Sequence, residues 1–115
     1  MYQNLNKERN KMNHFKLIEQ WAEDRNLIKG ATRDAQMVKL IEEVGEVASA
    51  IAKGKEDEVM KEIGDAMVVL TILAAQSDIK IEDCLDAVWN KIKDRKGKLI
   101  NGKFVKEEDL PENEQ

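Results

Sequence analysis

Several residue types are scarce in this chain. There is one cysteine, one histidine and one proline, and aromatic side chains make up only 4% of 115 residues. One cysteine excludes an intrachain disulfide framework, and Cys84, inside a helical pattern, reads as a packed or surface thiol. One histidine excludes the repeated Glu-x-x-His pairs of di-iron bundles. His14 is distant in sequence from every acidic motif and reads as a surface residue. The net charge is −4, so there is no general excess of basic charge to hold a nucleic-acid polymer or a membrane surface. The longest apolar stretch, Ala66–Ala75, is too short to span a bilayer, which takes about 20 residues. The N-terminal "MYQNLNKERNKMNHF" has no apolar core of a signal peptide. A cytoplasmic protein with no membrane partner is expected.

What remains is helix-forming. Charged residues reach 37%, and Ala, Leu, Ile, Glu and Lys are abundant, a helical composition. Phe15, Leu17, Ile18, Trp21 and Ala22 recur at helical spacing between about 10 and 25. Gly30 interrupts the pattern, and Thr32 or Asp34 is placed to cap a second helix that runs to about Ala52. After a short connection at Gly54, a third helix covers about Glu56–Gln76. A fourth runs from Ile81 to about Asp94, with Leu85, Val88, Trp89 and Ile92 as its expected buried stripe. Asn101-Gly102 between short apolar runs predicts a β-hairpin or extended arm. Short connections favour antiparallel neighbours. The expected fold is all-α and four-helix bundle-like, with a domain at 10–106, a flexible N-terminus at 1–9 and an acidic mobile tail at 107–115.

The acids are the distinctive feature. At 100° per residue, Leu40, Ile41, Val44, Val47, Ala48 and Ile51 cluster on one side of the second helix. Glu42, Glu43 and Glu46 fall opposite, so a core face and an acidic face are expected. On the third helix, Glu58, Glu62 and Asp65 form a stripe that Val69, Ile72 and Leu73 continue. Glu46 and Glu62 each lie eight residues from Gly54, and Glu43 and Asp65 each lie eleven. In an antiparallel pair these residues meet at matched heights. Converging carboxylates repel unless protonated or bridged by a cation. An all-oxygen donor set favours Mg²⁺, with Mn²⁺ as the alternative.

A magnesium ion on carboxylates commonly serves substrate phosphates. The concentrated cations lie in "WNKIKDRKGK" (89–98), where Asp86, Asn90 and Lys93 share a face away from the apolar stripe. The plainer account is favourable pairing of these cations with the C-terminal end of the fourth helix. No Gly-x-x-x-x-Gly-Lys-Ser/Thr loop is present, so this is not a P-loop nucleotide site.

"EEVGE" (42–46) followed by "EIGD" (62–65) resembles the Glu-Glu-x-x-Glu … Glu-x-x-Asp signature of MazG-like nucleotide pyrophosphohydrolases. "WAEDRNLIKGAT" (21–32) and "KIKDRKGKLINGKFVK" (91–106) resemble the same family, so the likeness covers roughly residues 12–106. The resemblance implies cleavage of a nucleoside triphosphate between the α and β phosphates, giving the monophosphate and pyrophosphate, in nucleotide-pool housekeeping. It implies metal ligation by Glu43, Glu46, Glu62 and Asp65. Glu42, with Glu43, enters the catalytic set, either as a second-metal ligand or by orienting the attacking water. Lys93 and Arg95 match positions expected to hold phosphate oxygens, and Asn90 is a sugar or phosphate contact. Trp21 is either a core residue or a stacking platform for the base. Gln36 is a candidate hydrogen-bond partner for base or ribose, and Trp89 is assigned to the core.

The third helix is apolar nearly all round between Ala66 and Ala75, the pattern of a helix covered on every side. A homodimer or homotetramer is therefore expected, and the resemblance also implies an oligomer. Two further readings stay open. One is a non-catalytic helical regulator binding nucleotide or protein. The other is a superfamily relative such as a dUTPase or phosphoribosyl-ATP pyrophosphatase.

Overall fold

The computed structural model describes residues 13–115; the flexible N-terminus expected at 1–9 lies outside the described residues. Four helices and a hairpin follow in order: α1 (His14–Asp24), α2 (Arg33–Ala52), α3 (Glu56–Gln76), α4 (Ile81–Ile92), β1 (Gly97–Ile100) and β2 (Lys103–Lys106). The chain divides into two compact units, one through Glu82 and one from Asp83. No helix among the described residues is long and apolar enough to cross a membrane.

In the first unit, α2 and α3 form the main helix–helix interface and α1 packs on α3. Asn13 caps α1 by accepting from the Lys16 N–H at 3.2 Å, and Thr32 caps α2 by accepting from Ala35 at 3.1 Å. Each side-chain oxygen satisfies a backbone donor left free by the first helical turn.

Helices α1, α2 and α3 end in the same way. A residue in left-handed conformation follows each: Asn26 (φ 57°), Gly54 (φ 69°) and Asp78 (φ 56°). The next N–H then reaches back five residues: Leu27 to Ala22 (2.9 Å), Lys55 to Ala50 (3.0 Å) and Ile79 to Ala74 (2.9 Å). These are Schellman closures. All three accepting residues are buried alanines. Gln76 ties the first loop to the end of α3 by donating to the carbonyls of Leu27 (3.4 Å) and Ala31 (3.0 Å).

The apolar core is thin and centres on Val69, Ile72 and Ala74 of α3. Thr71 is buried beside them, its hydroxyl donating to the Met67 carbonyl at 2.7 Å. The expected core face of α2 is corrected here. Ile41 is 66% exposed and Val44 55%, while Glu43 is only 5% exposed. Helix α2 turns the sector holding Glu43 and Ala50 inward and much of its apolar sector outward. A helical wheel fixes the sectors but not which one meets the neighbour, and in this pair the sector that meets α3 carries Glu43, which gathers with Glu62 and Asp65.

The second unit holds most of α4 and the hairpin. The stripe expected to be buried on α4 is also corrected: Leu85, Val88, Trp89 and Ile92 all stay exposed, Trp89 at 60%. Strands β1 and β2 pair antiparallel, Gly97 opposite Lys106 and Ile100 opposite Lys103. The two-residue loop Asn101-Gly102 has positive φ at both positions, the type I′ geometry that matches strand twist. A Cβ at Gly97 would run into the Phe104 ring and the Val105 carbonyl, so the hairpin closes only with glycine there. Residues 107–115 contain two short 3₁₀ turns (Glu107–Asp109 and Glu112–Glu114). Leu110 is buried, and its carbonyl accepts from the Gln115 side chain at 2.8 Å.

Gly54→Ala meets no atoms but places a Cβ in left-handed backbone, at about 1 kcal/mol. The expected result is a lower urea midpoint with an unchanged denaturant slope. An unchanged midpoint would show that the closure of α2 does not depend on this turn.

Candidate metal centre

Glu43 on α2 and Glu62 and Asp65 on α3 come together. Each offers a carboxylate oxygen, and the three oxygens lie within 4.8 Å of one another. The antiparallel turn at Gly54 brings them level, and the burial gradient runs from buried Glu43 through half-buried Glu62 to exposed Asp65. Glu46, one turn along α2, is exposed and lies beside Glu62. Glu42 is exposed and is joined to the cluster through Lys39, whose Nζ is 3.7 Å from Glu42 Oε2 and 3.2 Å from Glu43 Oε1.

The electrostatics are those of an undercompensated site. Glu43 Oε2 and Glu62 Oε2 are buried with no hydrogen-bond partner among the described residues. Burying such atoms unpaired is unfavourable. The Glu62 carboxyl is pushed up to about 7 by hydrogen bonding with Glu46, then by burial, and then by the charges of Glu46, Asp65 and Glu43. The Lys39 ammonium is held protonated above its usual range by its bond to Glu43. Among the described residues, no salt bridge reaches Glu62 or Asp65 on the α3 side of the cluster. An all-carboxylate donor set with orphaned buried oxygens fits a hard divalent ion.

Beside Asp65, an open groove of about 430 Å³ is lined by His14, Leu17, Ile18, Trp21 and Val68. Trp21 is 43% exposed, and the Arg25 guanidinium lies 4.7 Å from its ring centroid. Arg25 also donates to the Trp21 carbonyl at 3.2 Å, so one residue fixes both the backbone and the indole. Trp21 is therefore not part of the buried core. Gln36 is half-buried near the start of α2. Asn90 and Lys93 are exposed and Arg95 half-buried in the second unit. Sequence reasoning passed over Lys39 and over His14's place on the groove. Lys39 stands three and four residues before Glu42 and Glu43, the spacing at which helical side chains meet. His14 lies two helical turns before Trp21, on the same face.

The first unit is thus a helix pair with a carboxylate cluster in its seam, flanked by a groove that an exposed indole lines. The chain belongs to the MazG nucleotide pyrophosphohydrolase domain family, whose model matches residues 31–100. An uncharacterized 18.2 kDa protein from the rep–hol intergenic region of Haemophilus phage HP1 is 50% identical to it over 78 residues. That match covers 68% of this chain and 44% of the relative, so the chain spans less than half of that protein's length. No solved structure matches the chain.

Because Glu62 is raised above its unfolded value, its contribution to stability is full below about pH 4.5 and is lost as pH rises through about 7. The metal-free chain is therefore expected to melt at a higher temperature at pH 5.5 than at pH 8. Glu62→Gln should flatten that difference; an undiminished pH dependence in the variant would place the strain on other groups.

Proposed function

We propose that this chain is a Mg²⁺-dependent nucleoside triphosphate pyrophosphohydrolase, releasing the monophosphate and pyrophosphate, with Mn²⁺ able to replace Mg²⁺. The observation that carries this reading is the pair of buried, unpartnered oxygens on Glu43 and Glu62 beside Asp65, in a chain of this family. Glu43, Glu46, Glu62 and Asp65 would hold the ion. When bound, it supplies positive charge to phosphoryl oxygens as negative charge develops on them.

The protein's residues do the rest. A water attacks the α phosphorus, the bond to the bridging oxygen breaks, and pyrophosphate leaves. Glu42, exposed at the edge of the cluster, orients that water and accepts its proton, with Glu43 beside it. Lys93 and Arg95 hold phosphate oxygens, Arg95 through a planar fork of donors, and Asn90 holds sugar or phosphate. The base stacks on Trp21 in the groove that Asp65 borders, and Gln36 hydrogen-bonds base or ribose. Nucleotide-pool housekeeping in the cytoplasm is the role that fits this chemistry.

We also propose a homodimer, alone or doubled into a tetramer. Met37, Ile41, Val44 and Ile51 on α2 recur at intervals of three, four or seven and stay exposed. Met60, Ile63, Met67 and Leu70 do the same on α3. Two such stripes on an antiparallel pair are the half-faces of a four-helix layer, and a second copy of the same pair supplies the other half.

Asp65→Asn or Glu46→Gln should lower kcat by at least ~100-fold, since even residues that merely orient metal ligands cost up to that. Without metal, either variant should melt no lower than the parent, because repulsion is relieved. A panel of canonical and modified NTPs and dNTPs, with and without Mg²⁺, checks the reaction; no monophosphate from any of them would overturn the assignment. Ile41→Asp is expected to convert the dimer to monomer in sedimentation at micromolar concentration. A wild-type chain that sediments as a fully active monomer would remove the dimer proposal.

A further inference from the structure

Lys39 has no part in the reaction just described, yet it makes the closest charge contact to the buried acid. Its Nζ lies 3.2 Å from Glu43 Oε1 and 3.7 Å from Glu42 Oε2. Glu43 is thereby divided. One oxygen faces an ammonium, while the other, Oε2, is buried without a partner. That division is what a carboxylate shows when it bridges two cations. In two-metal phosphoryl-transfer sites the ions stand about 3.5–4 Å apart, close enough for one carboxylate to touch both.

We propose that Lys39 stands in for a second metal ion, so that the site takes a single divalent cation. The inference rests on the metal centre proposed above. A second ion would draw its protein ligands from Glu42 and from the outer oxygen of Glu43, and the Lys39 ammonium occupies the space between them. The tether is short and helical, three and four residues along α2, so the ammonium's local concentration is that of an intramolecular partner. Glu42, held on its outer side by Lys39, is then a residue for water and not for metal, which decides between the two roles its position allows. Lys39 acts through Glu42 and Glu43 and touches no reacting atom, which makes it a positioning residue.

The consequence is a count. Mn²⁺ alone, titrated without nucleotide, is the probe, read by calorimetry for stoichiometry and by electron paramagnetic resonance for ion–ion coupling. The wild-type chain should take up one Mn²⁺ and give the six-line spectrum of an isolated ion. Lys39→Ala should take up two, with the six-line signal broadened by coupling. Lys39→Arg should stay at one, and Lys39→Ala combined with Glu42→Gln should return to one. Two ions in the wild type, or one in Lys39→Ala, would overturn the proposal while leaving the metal centre standing. No Mn²⁺ uptake by the wild type would remove the metal centre itself, and this inference with it.

Discussion

The first unit is organised around a repulsion. Carboxylates from two helices are brought together in a seam, one of them almost fully buried. A single buried carboxylate is costly without a partner, and like charges in contact are costlier still. Among the described residues this is relieved only in part. Lys39 pairs with the outer oxygen of Glu43, and Glu62 is driven toward holding a proton at neutral pH. Both are partial remedies, and two oxygens remain unpartnered. The unfavourable charge contacts are thus concentrated at one place. The thin core, the exposed stripes of α2 and α3 and the half-closed groove at Trp21 all accompany that arrangement.

The position of the acids was legible because it depends on counting. Glu43 and Asp65 are equidistant from Gly54, as are Glu46 and Glu62, and a short connection favours an antiparallel return. The hairpin was legible because Asn-Gly has one strongly favoured use between short strands. Which way α2 faces was not legible. A helical wheel sorts its residues into an apolar sector and an acidic sector, but it cannot say which one meets α3. The usual rule points the apolar sector inward; here Glu43 is buried while Ile41, Val44 and Ile51 stay exposed. Helix α4 misled for a related reason, because an apolar stripe marks a surface that needs covering without saying what covers it. Trp89 was assigned to a core and lies open. His14 was set aside for its distance in sequence, although the packing of α1 on α3 brings it to the groove that Asp65 borders.

The stretch that matches the MazG family, residues 31–100, contains every acid of the seam. The phage relative shares half its residues with this chain over the matched stretch and extends well beyond it.

The turn between α2 and α3 is a ruler. The acids stand eight and eleven residues from Gly54 on either arm, a lever of roughly 12–16 Å at 1.5 Å per residue. Surface loops ordinarily tolerate changes in length. Here an added residue that is not bulged out advances α3 by about 1.5 Å and turns it by about 100°. Such a turn would move Glu62 and Asp65 out of the seam altogether. The length of this solvent-exposed connection is therefore as constrained as the identity of the acids, although it touches none of them.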